Sequence, residues 1–273
     1  MWLRNAGVMN DHSEIEYGRA ILHAALDLPK LGGRLYSVLD RAHPGLGKRI
    51  TDHVKQQRRQ ARERIFMASL CETAANDRLG RLSMWRAYGG TTSGAALVFN
   101  SDVFDEAQLP LSSFASPVLY GNIEEFAPKL EAVIDRLSAK PTLLRNVTAD
   151  IAFNAVSSAL DFAILSVKHM GFDEEREWRV IHRPFDYASA HVVEMIASIG
   201  GTPQLIYKMP LVNQSGMEIP KLTFDRLLHR VIIGSSLHPE TTRRALVEAL
   251  RAKGIKTPEA TVVVSDIPLR QTK

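Results

Sequence analysis

Stretches in which apolar residues recur at helical spacing predict the α-helices of this chain. They cover residues 13 to 28, 46 to 63, 123 to 139, 143 to 168 and 239 to 253. Pro29 and the glycines at 32 and 33 predict the end of the first helix, and Gly254 predicts a left-handed cap after the last. The segment from 143 to 168 is apolar nearly all round, which indicates a central, buried helix.

Shorter apolar runs bounded by turn residues predict β-strands. They lie at residues 65 to 71, 94 to 100, 175 to 183, 204 to 210, 230 to 234 and 261 to 265. The run RLSMWRAYGG (81–90) predicts one or two helical turns that its glycines end. This order of elements favours an α+β fold with a mixed sheet core and a mainly helical insertion at about 123–168. We expect one domain over residues 1–273, because no Pro/Gly/Ser-rich linker divides the chain.

Composition narrows the class of protein. The net charge of +4 and pI near 9.2 tolerate an anionic ligand without indicating nucleic acid by themselves. Cys71 is the only cysteine, so no disulfide forms within the chain and a cytoplasmic protein is expected. Charged residues such as Arg145 and Asp150 in the longest apolar segment predict that it does not enter a membrane. The histidines lack HxxxH or HExxH spacing, so no metal is expected.

The motif FDEEREWRV, residues 172–180, places charged groups on both sides of one tryptophan. If residues 175–183 form a strand, alternation directs Trp178 to one face, toward the core, and Glu177 and Arg179 to the other. One interpretation is an exposed Glu–Arg pair on a half-solvated sheet, worth about 0 to 1 kcal/mol. The other is that the Glu177 carboxylate points into a functional site.

Other polar and aromatic residues also allow two interpretations. Asn10, Asp11 and Glu14 stand at a helix start, where they either cap the helix or line a site. Trp85 and Tyr88 lie three residues apart and share a helix face, which is typical of a structural aromatic cluster and also suits ligand binding.

Two further candidates lie near these aromatic residues along the chain. Arg86 points away from Trp85 and Tyr88, toward a phosphate or toward Glu72. Ser69 shares a strand face with Cys71, and burial of that cysteine would make it inert packing.

Several segments together resemble a widespread bacterial family that is known as a domain of unknown function. They are MNDHSEIEYG, FMASLCE, LSMWRAYG followed by GAALVF, KHMGFDEEREWRV, RVIIG and VVVSDIPLR. The family's members commonly carry a histidine-bearing strand upstream, which this sequence starts too late to include; His12 is a poor substitute. The order of a histidine, an aromatic helix edge and a strand glutamate is similar to that in ADP-ribosyltransferases.

The resemblance implies roles for particular residues toward a nicotinamide dinucleotide, NAD. Tyr88 would flank the nicotinamide ring. Glu177 would hold a ribose hydroxyl and stabilise developing positive charge on the sugar. The residues expected to bind the cofactor are Trp85, Arg86, Asn10, Asp11, Glu14, Ser69 and Arg179.

Three functions therefore stay open from the sequence. The first is an ADP-ribosyltransferase-like enzyme or NAD glycohydrolase in a bacterial defence or toxin-like setting. The second is a non-catalytic module of the same fold that binds a nucleotide or a protein. The third is a nucleic-acid-processing protein, in which the basic segment 48–64 contacts nucleic acid and carboxylates of 173–177 hold a divalent metal.

Overall fold

The structure is a computed structural model that describes residues 1–8, 13–56, 64–89, 94–102, 111–213, 216, 219 and 222–268. Its α-helices are α1 (Ser13–Asp27), α2 (Pro29–Ala42), α3 (Leu46–Gln56), α4 (Leu82–Tyr88), α5 (Ile123–Ala139), α6 (Thr142–Arg145), α7 (Ala149–Leu165), α8 (Phe224–Leu227), α9 (Pro239–Ala252) and α10 (Pro258–Thr261). Short 3₁₀ turns cover Ala6–Val8 and Met170–Glu175.

The strands are β1 (Trp2–Asn5), β2 (Phe66–Cys71), β3 (Ala95–Phe99), β4 (Ser113–Pro117), β5 (Leu119–Tyr120), β6 (Val167–Lys168), β7 (Glu177–His182), β8 (Val193–Ile199), β9 (Thr202–Lys208), β10 (Leu228–Ile233) and β11 (Val262–Val264). Helix accounts for about 49% and strand for about 22% of the described residues. The predicted α+β class is confirmed.

The strands within the described part of the chain form three sheets. The largest has the order β4-β7-β2-β1-β9-β8, and its β8 and β9 form an antiparallel hairpin. In a second sheet, β10 pairs in parallel with β11 and antiparallel with β3. The third is the short parallel pair of β5 and β6. Parallel and antiparallel pairs together make this a mixed-sheet protein, as expected.

The chain forms two compact units. Unit 1 contains residues 1–3, 68–115 and 180–273. Its core lies where α9 covers the β10–β11 pair, and the buried residues there are Leu228, Val231, Ile233, Val247, Leu250, Ile255 and Val262. Aliphatic side chains at every second strand position and along one helix stripe produce this packing.

Unit 2 contains residues 4–67 and 116–179 and is mainly helical. Helix α7 buries Ala152, Val156, Leu160 and Ile164, which follow one another at intervals of four residues and form one stripe. Gly18 of α1 packs against the backbone of Ile164, where a Cβ atom would lie only 2.0 Å from the carbonyl oxygen. The absence of a side chain at this glycine is therefore what lets α1 approach α7.

Most predicted elements are present, and the departures have physical causes. The helix predicted at 13 to 28 is confirmed, but Pro29 begins α2 rather than ending the helical region, because proline is well suited to a first helical position. Gly32 lies inside α2, where a Cβ atom would meet the Leu26 carbonyl oxygen at 2.0 Å. The helix predicted over 143–168 is divided into α6 and α7, because Thr148 caps α7 by accepting from the Ile151 N–H.

The strand predicted at 65–71 is confirmed, but only its first residues are buried as predicted. Phe66 and Met67 are buried, whereas Ser69 and Cys71 are exposed. The expectation of a buried cysteine is thus wrong. Strand β8 was not predicted from the sequence. The part of the basic segment beyond Gln56 up to residue 63 lies outside the described residues.

Candidate functional site

The first residues of β7 carry a buried ion pair. Glu177 and Arg179 are 4% and 1% exposed. The Arg179 Nε donates to Glu177 Oε1 at 2.8 Å and its Nη2 donates to Glu177 Oε2 at 3.0 Å. This is the two-pronged geometry that makes arginine–carboxylate pairs strong. The interpretation of an exposed Glu–Arg pair is wrong, because both side chains are withdrawn from water.

Two other elements bring further charges to this pair. Glu14, in the first turn of α1, accepts a hydrogen bond from Arg179 Nη2. Lys168 of β6 places its Nζ 2.6 Å from Glu14 Oε1, 2.7 Å from Glu175 Oε2 and 3.4 Å from Glu177 Oε2. We name Glu14, Lys168, Glu175, Glu177 and Arg179 the charged cluster; all five residues belong to unit 2.

The two cations of the charged cluster are held in their charged form. Burial opposes the charge of Lys168, but hydrogen bonds to Glu14 and Glu175 outweigh it and raise the pKa of the ammonium above its ordinary value. Burial likewise opposes the charge of Arg179, and Glu177 and Glu14 overcome it, so that the pKa of the guanidinium is raised. Arg179 also donates to the Leu165 carbonyl oxygen at the end of α7, at 2.7 Å.

Negative charge is in excess in the charged cluster. With all five groups ionised, three carboxylates and two cations leave a net charge of −1. Glu14 and Glu175 keep 12% and 24% of their side chains exposed, against 4% for Glu177. The excess negative charge therefore meets solvent through Glu14 and Glu175, while Glu177 lies beneath them.

Aromatic groups border the charged cluster. The Phe172 ring lies over the Lys168 ammonium, with 4.6 Å between Nζ and the ring centroid. Tyr17 packs edge-on against the His169 ring and donates from its hydroxyl to the Gly121 carbonyl oxygen at 2.8 Å. Carboxylates and aromatic rings therefore lie next to each other at this surface.

The backbone around Glu177 is fixed independently of its side chain. The Glu177 N–H donates to the Tyr120 hydroxyl at 2.7 Å, and its carbonyl accepts from the Val118 N–H at 2.9 Å. Burial raises the pKa of Tyr120, so that its hydroxyl stays protonated at neutral pH. Arg176, just before the strand, has a left-handed backbone with φ of 43°. These contacts fix the backbone position from which the Glu177 side chain enters the charged cluster.

Three of the predicted site residues come together in the charged cluster. Glu14, Glu177 and Arg179 form one network. Trp178 is half-buried although the sequence predicted that it faces the core, whereas its charged neighbours are fully buried. The reason is that mutual pairing removes most of the cost of burying the charges.

The predicted residues of the α4 region belong to unit 1. Trp85 lies in the core with Ile232 and Val263, and its Nε1 donates to the Leu79 carbonyl oxygen at 2.8 Å. Tyr88, the last residue of α4, is exposed, and so is Arg86. Packing and a hydrogen bond account for Trp85; a ligand role for these three residues stays a prediction.

The remaining predicted positions have other surroundings. Ser69 is exposed on β2, on the same side as Cys71, which agrees with the predicted alternation. Asn10 and Asp11 lie outside the described residues, as does His12. Their predicted capping and ligand roles stay predictions.

Sequence reasoning missed Lys168 and Tyr120, and it considered Glu175 only as one of the 173–177 carboxylates that could hold a metal. A signal for Lys168 was present, since it is a single lysine in the apolar run ILSVKHM (164–170). A lysine that is buried in this way needs a carboxylate partner. No comparable signal marks Tyr120, because its contact with Glu177 joins positions 57 residues apart.

Two properties of the described residues bear on the alternative functions. In the part of the chain that the structure describes, no group of three or more His, Cys, Asp and Glu side chains could hold a metal ion. The metal-dependent alternative therefore lacks a candidate site among those residues. No described helix combines the length and apolar character needed to span a bilayer.

Comparison with known proteins gives one match. Residues 84–180 match the model of a family described as "Protein of unknown function (DUF2971)". This confirms the predicted resemblance to a domain-of-unknown-function family over that range, which includes four of the five residues of the charged cluster. No curated protein and no solved structure matches the chain. The similarity to ADP-ribosyltransferases stays a prediction.

Proposed function

We propose that the protein recognises a nicotinamide dinucleotide at the charged cluster and breaks the bond between its nicotinamide and its ribose. The observation that carries this proposal is the net negative charge that Glu14 and Glu175 bring to the surface beside the ring of Phe172. An oxidised nicotinamide ring is flat and positively charged. Carboxylates attract its charge and an aromatic side chain contacts its face.

The reaction follows from the role proposed for Glu177. As the carbon–nitrogen bond breaks, its electron pair leaves with nicotinamide and positive charge develops on the ribose. The Glu177 carboxylate would hold a ribose hydroxyl and stabilise that charge. Water or an acceptor hydroxyl then bonds to the ribose carbon and loses its proton.

The second candidate is a module of the same fold that binds the dinucleotide without cleaving it. It is favoured by one observation: Arg179 and Lys168 both contact the Glu177 carboxylate, so that much of its charge is already balanced. A carboxylate engaged in this way stabilises a new positive charge less than an uncompensated one does. The two candidates share the ligand and differ in the chemistry.

Binding is tested by comparing the oxidised and reduced dinucleotides in a thermal-shift assay. The oxidised form carries the ring charge and the reduced form does not, so the oxidised form should raise the melting temperature more. Glu175→Gln should reduce this difference. Glu131→Gln, which alters an exposed ion pair with Arg34 in the same unit, is the matched control and should leave it unchanged. No shift with either dinucleotide would contradict both candidates.

Catalysis is tested by measuring release of free nicotinamide. If Glu177 is catalytic, Glu177→Gln should retain binding while turnover falls on the order of 100-fold or more. Binding without any nicotinamide release supports the non-catalytic module instead.

A further inference from the structure

The β8–β9 hairpin of unit 1 presents an exposed strand edge. Its two strands pair over seven consecutive residue pairs. Gly200 and Gly201, with φ of 58° and 80°, form the turn between them, and such a two-residue turn fixes the pairing register. Among the described residues, β8 is the last strand of its sheet. One side of its backbone therefore has hydrogen-bonding groups that β9 does not use.

Strand β8 lacks the features by which exposed edges usually avoid pairing with other chains. Its sequence, VEMIASI, contains no proline and no lysine. Its one charged residue, Glu194, accepts a hydrogen bond from the hydroxyl of Tyr207, its cross-strand neighbour in β9. The charge is thus tied to the adjacent strand.

Apolar side chains of the hairpin are left in water. Ile196, in the middle of β8, is 73% exposed, and Leu205, directly opposite it in β9, is 38% exposed. Val193 and Met195, also exposed, lie on the opposite face of the strand. An edge of this length and composition is typical of a strand that pairs with a further strand.

We propose that β8 is the docking site for β8 of a second copy of this chain, paired antiparallel about a two-fold axis at Ile196. In this register Ile196 meets Ile196 of the second copy. The large Met195 meets the small Ala197, and Glu194 meets Ser198. No carboxylate faces another, and the exposed Leu205 and Ile196 of both copies form one continuous apolar row across the junction.

Self-complementarity is what selects a second copy over a different protein. When a strand with a single charged residue pairs antiparallel with itself, like charges lie directly opposite each other only if the axis passes through that residue. The only charge of β8 lies two positions from its centre. A single strand contributes less area than a standard protein interface, so the dimer should depend on protein concentration.

Sedimentation velocity of the full chain over a range of concentrations tests the dimer. The wild type should shift from monomer to dimer as concentration rises. Ile196→Lys places two ammonium groups opposite each other at the axis and should raise the dimer dissociation constant on the order of 10-fold or more. Leu97→Lys changes a residue of β3 in the same unit that is 56% exposed, and should leave the dissociation constant unchanged.

A cross-link tests the register and does not depend on a charged substitution. In a Cys71→Ser background, Ile196→Cys puts two thiols opposite each other, within the range that a disulfide spans. Air oxidation should give a covalent dimer, and Leu97→Cys in the same background should not. The proposal is overturned by a wild type that is monomeric at all concentrations, by a dimer that Ile196→Lys leaves intact, or by equal cross-linking through Leu97→Cys.

Discussion

Removing the two partners of the buried ion pair should destabilise the protein to different extents. Glu177→Gln neutralises one of three carboxylates and changes the net charge of the charged cluster from −1 to 0. Arg179→Met removes one of two cations and changes it to −2. The second variant also leaves the Leu165 carbonyl oxygen without its Arg179 donor, and it leaves Lys168 as the one cation of the charged cluster that Glu14 and Glu177 share.

The magnitudes follow from burial. Removing one partner of a buried ion pair costs about 3 to 5 kcal/mol when the other charge is left uncompensated. After Arg179→Met, Glu177 keeps only the 3.4 Å contact with Lys168, an ammonium that Glu14 and Glu175 share, so most of its charge is uncompensated. We therefore expect a loss of about 3 to 5 kcal/mol in the free energy of unfolding. After Glu177→Gln, Arg179 still contacts Glu14, and the new amide oxygen still accepts a hydrogen bond. The expected loss is then about 1 to 3 kcal/mol.

Urea denaturation at neutral pH, followed by tryptophan fluorescence and circular dichroism, measures both variants. Glu131→Gln on the exposed surface of unit 2 is the control and should leave the midpoint unchanged. The double variant should lose less stability than the sum of the single losses, because the two residues interact directly. Equal losses below about 1 kcal/mol for both variants would refute the reasoning, because a solvated pair behaves in that way.

Three further predictions concern other residues. Trp178→Ala should lower the free energy of unfolding by about 2 kcal/mol, less than for a fully buried tryptophan, and an unchanged denaturation curve would contradict this. Burial lowers the pKa of His182 below its ordinary value of 6.5, so on acidification the unfolded chain takes up a proton first and the free energy of unfolding should fall as the pH drops below about 6.5. His182→Asn should make the free energy of unfolding depend less steeply on pH. Equal pH dependence in the variant and the wild type would show that His182 is not the cause. Burial and the Glu194 carboxylate raise the pKa of Tyr207 to about 12. Glu194→Gln should therefore move part of the tyrosinate absorbance titration to lower pH. Identical titration curves for the variant and the wild type would argue against the Tyr207–Glu194 interaction.

The sequence alone was sufficient for the α+β class and for most elements, since these depend on local periodicity. The seven-residue α4 ends at Tyr88, directly before Gly89, and Gly254 has the left-handed φ of 84° that its position after α9 predicted. Pattern reasoning failed where a local signal has two outcomes. A proline such as Pro29 can follow one helix or begin the next. Here it begins α2, and Gly32 in the first turns of α2 packs closely against the backbone of Leu26 in α1.

The charged cluster shows where prediction from sequence ends. The FDEEREWRV motif indicated that Glu177 and Arg179 share a strand face, because side-chain alternation is a local property. It could not indicate that this face is buried. Burial depends on Lys168 and on Glu14, the latter 165 residues from Arg179 along the chain. Only tertiary packing brings those countercharges close enough to offset the desolvation of the pair, and for that reason the structure buries the charged residues and leaves Trp178 half in water.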